Sequence, residues 1–275
     1  MRVKFKKMSG AGNDFIVVDD RKGALVRLEA MTIQKLCKRK TGVGADGLIL
    51  ISSDAETDFF MAYYNRDGRE AELCANGARC SVLFAHELDP TRDEFTFRSM
   101  AGSHRGKFVG GGSQELVEID LPPPAEVALG EELEVFGEII PYASLVVGVP
   151  HVVILRKTGL AELDVERLGR KIREHERFRP KGTNVNFIHV ISRSFLTIRT
   201  YERGVEEETL ACGTGSSASS IAATLWNLTA PPVECRTRGG DILQVFFEHD
   251  ARTQRISSLR LRGPAATTFE GWVEL

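Results

Sequence analysis

The sequence predicts an α+β protein of two pseudo-symmetric domains, each a mostly antiparallel sheet or barrel around a central helix, with the active site in the interdomain cleft. Three observations carry this. GVGADGLILI, beginning at Gly42, returns as GTNVNFIHVI at Gly182. YNRDG, with Asn65, returns as YERGV, with Glu202. Cys74 in AELCANGARC returns as Cys212 in TLACGTGSSAS. The offsets 182 − 42, 202 − 65 and 212 − 74 agree to within three residues, as two copies of one supersecondary unit require.

Each copy presents the same elements in the same order. A glycine-containing loop leads to an apolar or alternating run (LILIS, NFIHVIS) and then to a second run rich in β-branched and aromatic residues (FFMAYYN, FLTIRTYE). Both runs predict strands. A polar turn leads to the cysteine, after which NGARCSVLFAHEL and GTGSSASSIAATLWNL place apolar residues at helical spacing. Between the copies, DLPPPAEVALGEELEVFGE combines three prolines with an acidic run and reads as a crossover. The expected domains are therefore 1–118 and 119–264, with a last strand in 265–275 (GWVEL) returning to the first. Packed face to face, such copies set Cys74 and Cys212 on opposite sides of one cleft, an arrangement suited to two similar groups working from opposite faces.

The chain has 275 residues, of which 42 % are apolar and 27 % charged, and a net charge of −2. That is the make-up of a soluble globular protein, and it offers no basic footprint for nucleic acid. The start, MRVKFKKMSGAGNDF, is basic without the apolar run of a signal peptide. No apolar stretch approaches the ~20 residues of a membrane span, so a cytoplasmic protein is expected. Five cysteines, odd and sparse, do not form a disulfide framework. Six histidines without HxxxH spacing give no structural zinc site, and no metal is expected. GVGADG matches GxGxxG formally, but a helix-like run precedes it and a strand follows, the reverse of a dinucleotide site. GSHRGKF is one residue short of a P-loop and lacks Ser or Thr after Lys107.

Free cysteine is usually a small buried hydrophobe, the reading for Cys37, Cys80 and Cys235. Cys74 and Cys212 differ, because small residues, among them Gly77, Gly213 and Gly215, follow them into a helix start. There free N–H groups bind anions and lower the pKa of a nearby thiol.

These residues together resemble the diaminopimelate epimerase family. The similar blocks are MSGAGNDFIVVD, GVGADGLI, NRDGREAELCANGARC, GVPHVVI, GTNVNF and YERGVEEETLACGTG, six in family order from near the N-terminus to about residue 220. The resemblance implies two pseudo-symmetric halves with one catalytic cysteine each, here Cys74 and Cys212. It implies interconversion of LL- and meso-2,6-diaminopimelate, on the route to lysine and peptidoglycan, with neither pyridoxal phosphate nor metal. One thiolate removes the α-proton and the opposing thiol returns one to the other face. Backbone N–H groups at Ala75, Asn76, Gly213 and Thr214 are suited to hold the α-carboxylate. His151 and Glu202 match positions that tune the thiols, and which cysteine each serves is left open. Asn13, Asn65, Asn184, Glu202 and Arg203 match substrate contacts, and a homodimer is the family-level expectation. Asp14, Asp46 and Asp67 read as turn or capping residues.

Two departures stand out. Val149 occupies the place of the usual Asn before Pro-His, and Ala75 that of the usual Gly after the first cysteine. ERGVEEETLAC is also one residue longer than the common spacing. These bear on substrate rather than on reaction class. A racemase of the same fold acting on another amino acid is therefore the alternative, ahead of a binding protein without turnover or a single-thiol hydrolase.

Overall fold

The structure, a computed structural model, describes residues 1–25, 28–111 and 114–275. Backbone contacts divide the chain into two compact units, Met1–Asp120 with Gly263–Leu275, and Leu121–Arg262.

In the first unit β1 (Arg2–Gly10) and β2 (Asn13–Asp19) form a hairpin. Helix α1 (Ala30–Cys37) carries the chain across to β3 (Gly47–Ser52), which runs parallel to β2 from the pair Phe15–Gly47. β4 (Phe59–Asn65) lies antiparallel to β3 and takes the short β5 (Glu70–Ala71) on one end. Helix α2 (Ala75–Leu88) follows, then β6 (Glu94–Ser99), parallel to β4, and the antiparallel β7 (Gly102–Gly110) and β8 (Leu116–Asp120).

Strand β3 shows why these elements lie where they do. Its residues Gly47–Ile51 are all buried, the pattern of a strand covered on both faces. Leu48 and Leu50 pack with Ile33 and Leu36 of α1, while Ile49 points the other way, its Cδ1 beside Gly77 of α2. Helix α2 is buried all round from Ala75 to Ala85 and packs against β1 to β4, β7 and β8. A helix without an exposed face needs neither amphipathic stripe nor charged side.

The second unit repeats this scheme. After β9 (Ala125–Val135) come β10 (Glu138–Val147) and β11 (Val149–Leu155), an antiparallel pair. Helix α3 (Val165–Arg173) leads to β12 (Asn184–Ser192), parallel to β11 from the pair His151–Asn184. β13 (Phe195–Glu202), β14 (Glu207–Thr209), helix α4 (Gly213–Leu225) and β15 (Val233–Arg236) reproduce β4, β5, α2 and β6. β16 (Ile242–Asp250) and β17 (Arg255–Pro264) close the order. A last strand, β18 (Ala266–Glu274), lies antiparallel to β1, pairing Arg2 with Glu274. In the same way β9 lies antiparallel to β10.

Helix α4 is also encased, and serine is the price of its small girth. Ser217 and Ser220 donate their hydroxyls to the carbonyls four residues back, Gly213 at 3.1 Å and Ser216 at 2.9 Å. Ser81 of α2 does the same to Gly77. This satisfies these three buried hydroxyls within their own helices, and Ser220 also meets Cys235 Sγ at 3.1 Å.

Two sequence expectations change. The run read as a crossover contains β9, because Leu133 and Val135 alternate with Glu132 and Glu134 and turn inward while the acids face out. The sheets are also open: among the described residues the strand pairings within each unit run as a ladder and do not close into a barrel. Among the described residues no helix is long and apolar enough to cross a membrane.

Gly169 in α3 tests this packing. An added Cβ normally stabilises a helix by about 1 kcal/mol over glycine, but here it would stand 2.4 Å from the Cβ of the fully buried Tyr201. Gly169→Ala is expected to lose ~1–3 kcal/mol, the cost of overpacking. Urea denaturation reads it, and a raised midpoint would refute the close approach of α3 to β13.

Candidate active site

Cys74 and Cys212 each stand at the N-cap of a buried helix in nearly the same backbone conformation, φ −120°, ψ 117° and φ −125°, ψ 111°. The first intrahelical bonds run from Ala78 N–H to the Cys74 carbonyl (2.8 Å) and from Ser216 N–H to the Cys212 carbonyl (2.9 Å). The N–H groups before them, of Ala75, Asn76, Gly213 and Thr214, therefore lie outside the helical ladder, where a helix favours anions. Burial disfavours the thiolate form of the other three cysteines. Burial pushes Cys80 and Cys235 up to about 12. Burial, with the negative charges of Asp14 and Asp46, pushes Cys37 up to about 11.

Around Cys74 the first unit builds an oriented amide chain. Asn13 donates from Nδ2 to Asp46 Oδ2 at 2.6 Å, which leaves its Oδ1 turned towards the thiol. The Cys74 Sγ lies 3.5 Å from that oxygen, and Asn76 Nδ2 reaches it at the same distance. Asn76 in turn accepts at Oδ1 from Arg79 (2.8 Å), a fully buried guanidinium that also reaches the carbonyls of Ala75 and Pro264. Asp46 is held by Arg39, which also grips Asp14 with both nitrogens. Lys7, buried, donates to the Gly44 carbonyl and pairs with Asp14 at 2.7 Å. Burial would raise the Asp14 carboxyl, but the Arg39 and Lys7 bonds outweigh it and hold it at about 2. Asp14 and Asp46 are thus members of a four-charge cluster behind Asn13, not turn or capping residues, because two cations lie within reach. Asp67 does serve a turn, accepting from Arg69 N–H at 2.9 Å. Asn65, at the end of β4, accepts from the Tyr63 hydroxyl.

In the second unit His151, on β11, is buried beside Asn186 of β12, whose Nδ2 lies 3.2 Å from His151 Nδ1. The same Nδ2 donates to the Val152 carbonyl at 2.9 Å, and Thr200 Oγ1 donates to Asn186 Oδ1 at 3.0 Å. Gly215, three residues after Cys212, marks how close this amide comes to the thiol. A Cβ there would meet Asn186 Oδ1 at 2.4 Å and Cys212 Sγ at 3.2 Å. Asn184 Oδ1 accepts from Arg203 N–H at 2.7 Å, and Arg203 reaches the Lys181 carbonyl. Glu202 ends β13, its carbonyl accepting from Glu206 N–H. Thr214 Oγ1 is 3.6 Å from Cys212 Sγ. Val149 opens β11 two residues before His151 and so shares its strand face.

Sequence reasoning misses Arg79, the Lys7–Asp14–Arg39–Asp46 cluster and Asn186. Only Asn186 leaves a local signal, a second asparagine in a buried run of strand where asparagine is disfavoured. Among the described residues no group of three or more His, Cys, Asp or Glu side chains is placed to hold a metal ion.

The profile of a family described as diaminopimelate epimerase matches residues 5–120 and 144–258. A diaminopimelate epimerase of Aquifex aeolicus is 39 % identical over 279 residues, covering 98 % of this chain and 97 % of its own. Among solved structures, a PhzF-family phenazine biosynthesis protein of Bacillus anthracis aligns over 100 % of both chains with a TM-score of 0.74 and 14 % identity. A probable proline racemase from Agrobacterium radiobacter K84 aligns over 99 % of this chain and 93 % of its own, with a TM-score of 0.71 and 14 % identity. At such identities these two likenesses speak for the two-domain fold alone.

His151 generates a pH prediction. Burial, reinforced by the positive charge of Arg203, lowers its pKa from 6.5 to about 3. The unfolded chain takes up this proton below about pH 6.5, whereas the folded one resists until near pH 3. The contribution to stability is therefore complete above pH 6.5 and is lost as pH falls, by up to about 1.4 kcal/mol per unit. Between pH 6.5 and 5, His151→Phe should lose stability less steeply than the wild type. Equal slopes in denaturation measured across that range would mean that His151 is already charged in the folded protein.

Proposed function

From the premise that the chain belongs to the diaminopimelate epimerase family, we propose that this isomerase interconverts LL- and meso-2,6-diaminopimelate, in the cytoplasm and as a homodimer, for lysine and peptidoglycan precursor synthesis. The observation that carries the mechanism is the pair Cys74 and Cys212, two thiols with matched backbone conformations at the starts of two equivalent buried helices.

The chemistry uses what each unit supplies. The α C–H bond of an amino acid is a very weak acid, so its cleavage needs a base already in place and an acceptor for the charge left on carbon. One cysteine, as thiolate, takes the α-proton. The other, as thiol, delivers its own proton to the opposite face, and the enzyme is left with the two protonation states exchanged. The helix-start N–H groups of Ala75, Asn76, Gly213 and Thr214 hold the α-carboxylate into which the carbanion's charge spreads. Asn13 presents an oxygen, fixed by Asp46, that favours the protonated form of Cys74 and accepts from an ammonium group. Asn65, Asn184, Glu202 and Arg203 grip the second amino-acid end, where a guanidinium suits a carboxylate. His151 and Glu202 set the protonation of the thiols.

Two thiols and one carbon make a labelling prediction. In deuterium oxide, starting from unlabelled LL-substrate, deuterium should appear first at the inverted α-carbon of the product, while remaining substrate stays largely unlabelled. A product that retains its original hydrogen would point to a single base and sink the two-thiol mechanism. Cys74→Ala and Cys212→Ala should each cut inversion by at least about 100-fold, the scale of a lost acid or base.

Val149 favours a second reading, a different amino-acid substrate, because it puts a methyl-bearing side chain on the face that carries His151. If the substrate is diaminopimelate, Val149→Asn should lower KM by up to about tenfold, one hydrogen bond's worth. A fall in kcat/KM with diaminopimelate, together with turnover of another amino acid by the wild type, would favour the second reading.

A further inference from the structure

The duplicated frame allows position-by-position comparison of the two units. The parallel ladders open with Phe15–Gly47 in one and His151–Asn184 in the other. Phe15 therefore corresponds to His151, Gly47 to Asn184, and, two residues on, Ile49 to Asn186. The glycines three residues after each cysteine agree. A Cβ on Gly77 would touch Ile49 Cδ1 at 3.0 Å and Phe15 Cζ at 3.5 Å, where one on Gly215 would strike Asn186 Oδ1. One unit thus backs its helix start with a phenylalanine and an isoleucine, the other with a buried histidine and a buried asparagine. Burying two polar side chains where the fold accepts two apolar ones costs stability. A function must keep them.

We propose that Asn186 is a positioning residue that locks His151 in the neutral tautomer with its proton on Nε2, so that the imidazole offers the reacting site a hydrogen-bond donor and not a base. This rests on the function proposed above. The orientation of Asn186 follows from its neighbours. The Val152 carbonyl only accepts, so the atom 2.9 Å from it is the amide nitrogen, and Thr200 donates to the oxygen on the other side. The second amide hydrogen then points at His151 Nδ1, 3.2 Å away. Nδ1 must accept, which leaves the ring proton on Nε2. Nε2 is buried and has no hydrogen-bond partner among the described residues, so its donor is kept for something that arrives. Asn186 itself touches no reacting atom and acts through the ring. A buried neutral donor stabilises an anion, a thiolate or the substrate carboxylate, without competing for the proton that the cysteines exchange.

The test is long-range proton–nitrogen NMR on protein labelled at histidine nitrogen, with His151 assigned by the signal missing from His151→Phe. In the wild type at neutral pH, Nε2 should carry the proton and Nδ1 should not. A proton on Nδ1, or on both nitrogens, overturns the proposal. Asn186→Asp replaces the donor by a carboxylate that accepts from Nδ1–H, so the ring should reverse its tautomer or become doubly protonated. In the same variant kcat should fall at least tenfold with KM changed less than threefold. An unchanged ring, or an unchanged kcat with a reversed ring, also overturns it. Because the wild-type spectrum needs no substrate and no turnover, it stands even if the protein fails to invert diaminopimelate, and that failure would count against the function alone.

Discussion

Each half of the chain is built around a helix that has no face left for solvent, and the rest of the structure follows from that constraint. Helix α2 is buried from Ala75 to Ala85, and α4 along almost its whole length. A helix enclosed in this way meets the outside at its ends. Its first turn, with N–H groups that no carbonyl of the helix answers, becomes the place where a polar ligand can replace water. A cysteine at the N-cap of each helix puts sulfur at that spot with the backbone already extended. The strands wrapped on the helices then supply side chains at fixed heights, because the parallel ladders start at equivalent residues. In this way packing, rather than a loop, decides where the thiols stand.

How much of this is legible in the sequence depends on whether the signal is local. The repeat is legible because a cysteine followed by small residues, and a strand pair before it, each leave a pattern of residue types. The strand β9 is hidden because three prolines and a run of glutamates speak louder than the short alternation Leu133–Glu134–Val135. The charge cluster is hidden for another reason. Asp46 stands before Gly47 and Asp14 two residues after Gly12, and both look like turn residues until the fold brings Lys7 and Arg39 from other segments alongside. Residue type tells what a side chain can bond and seldom which partner it finds. Arg79 is the extreme case, a fully buried cation inside a helix, where sequence habit expects an exposed one.

The duplicated frame is symmetric in backbone and unequal in chemistry. On one side an asparagine oxygen lies by the thiol, and the helix start behind it, at Gly77, is backed by an aromatic and an aliphatic side chain. On the other a threonine hydroxyl lies by the thiol, and the helix start at Gly215 is backed by Asn186, which bonds His151. A reaction that needs two like groups in unlike protonation states is served by that inequality, since identical surroundings would give the two thiols the same tendency to ionise.

The pairing of β18 with β1 has a consequence for synthesis on the ribosome. The amino terminus donates to the carbonyl of Leu275 at 2.7 Å, and Arg2 lies opposite Glu274. A nascent chain that has released all of α2 and β8 has β2 beside β1 but still lacks β18, the neighbour on the other edge of β1. The edge of β1 stays open until β18 emerges, an exposed template for pairing with other chains. Contacts so distant in sequence are slow to close. The unit begun first is thus the later of the two to be closed.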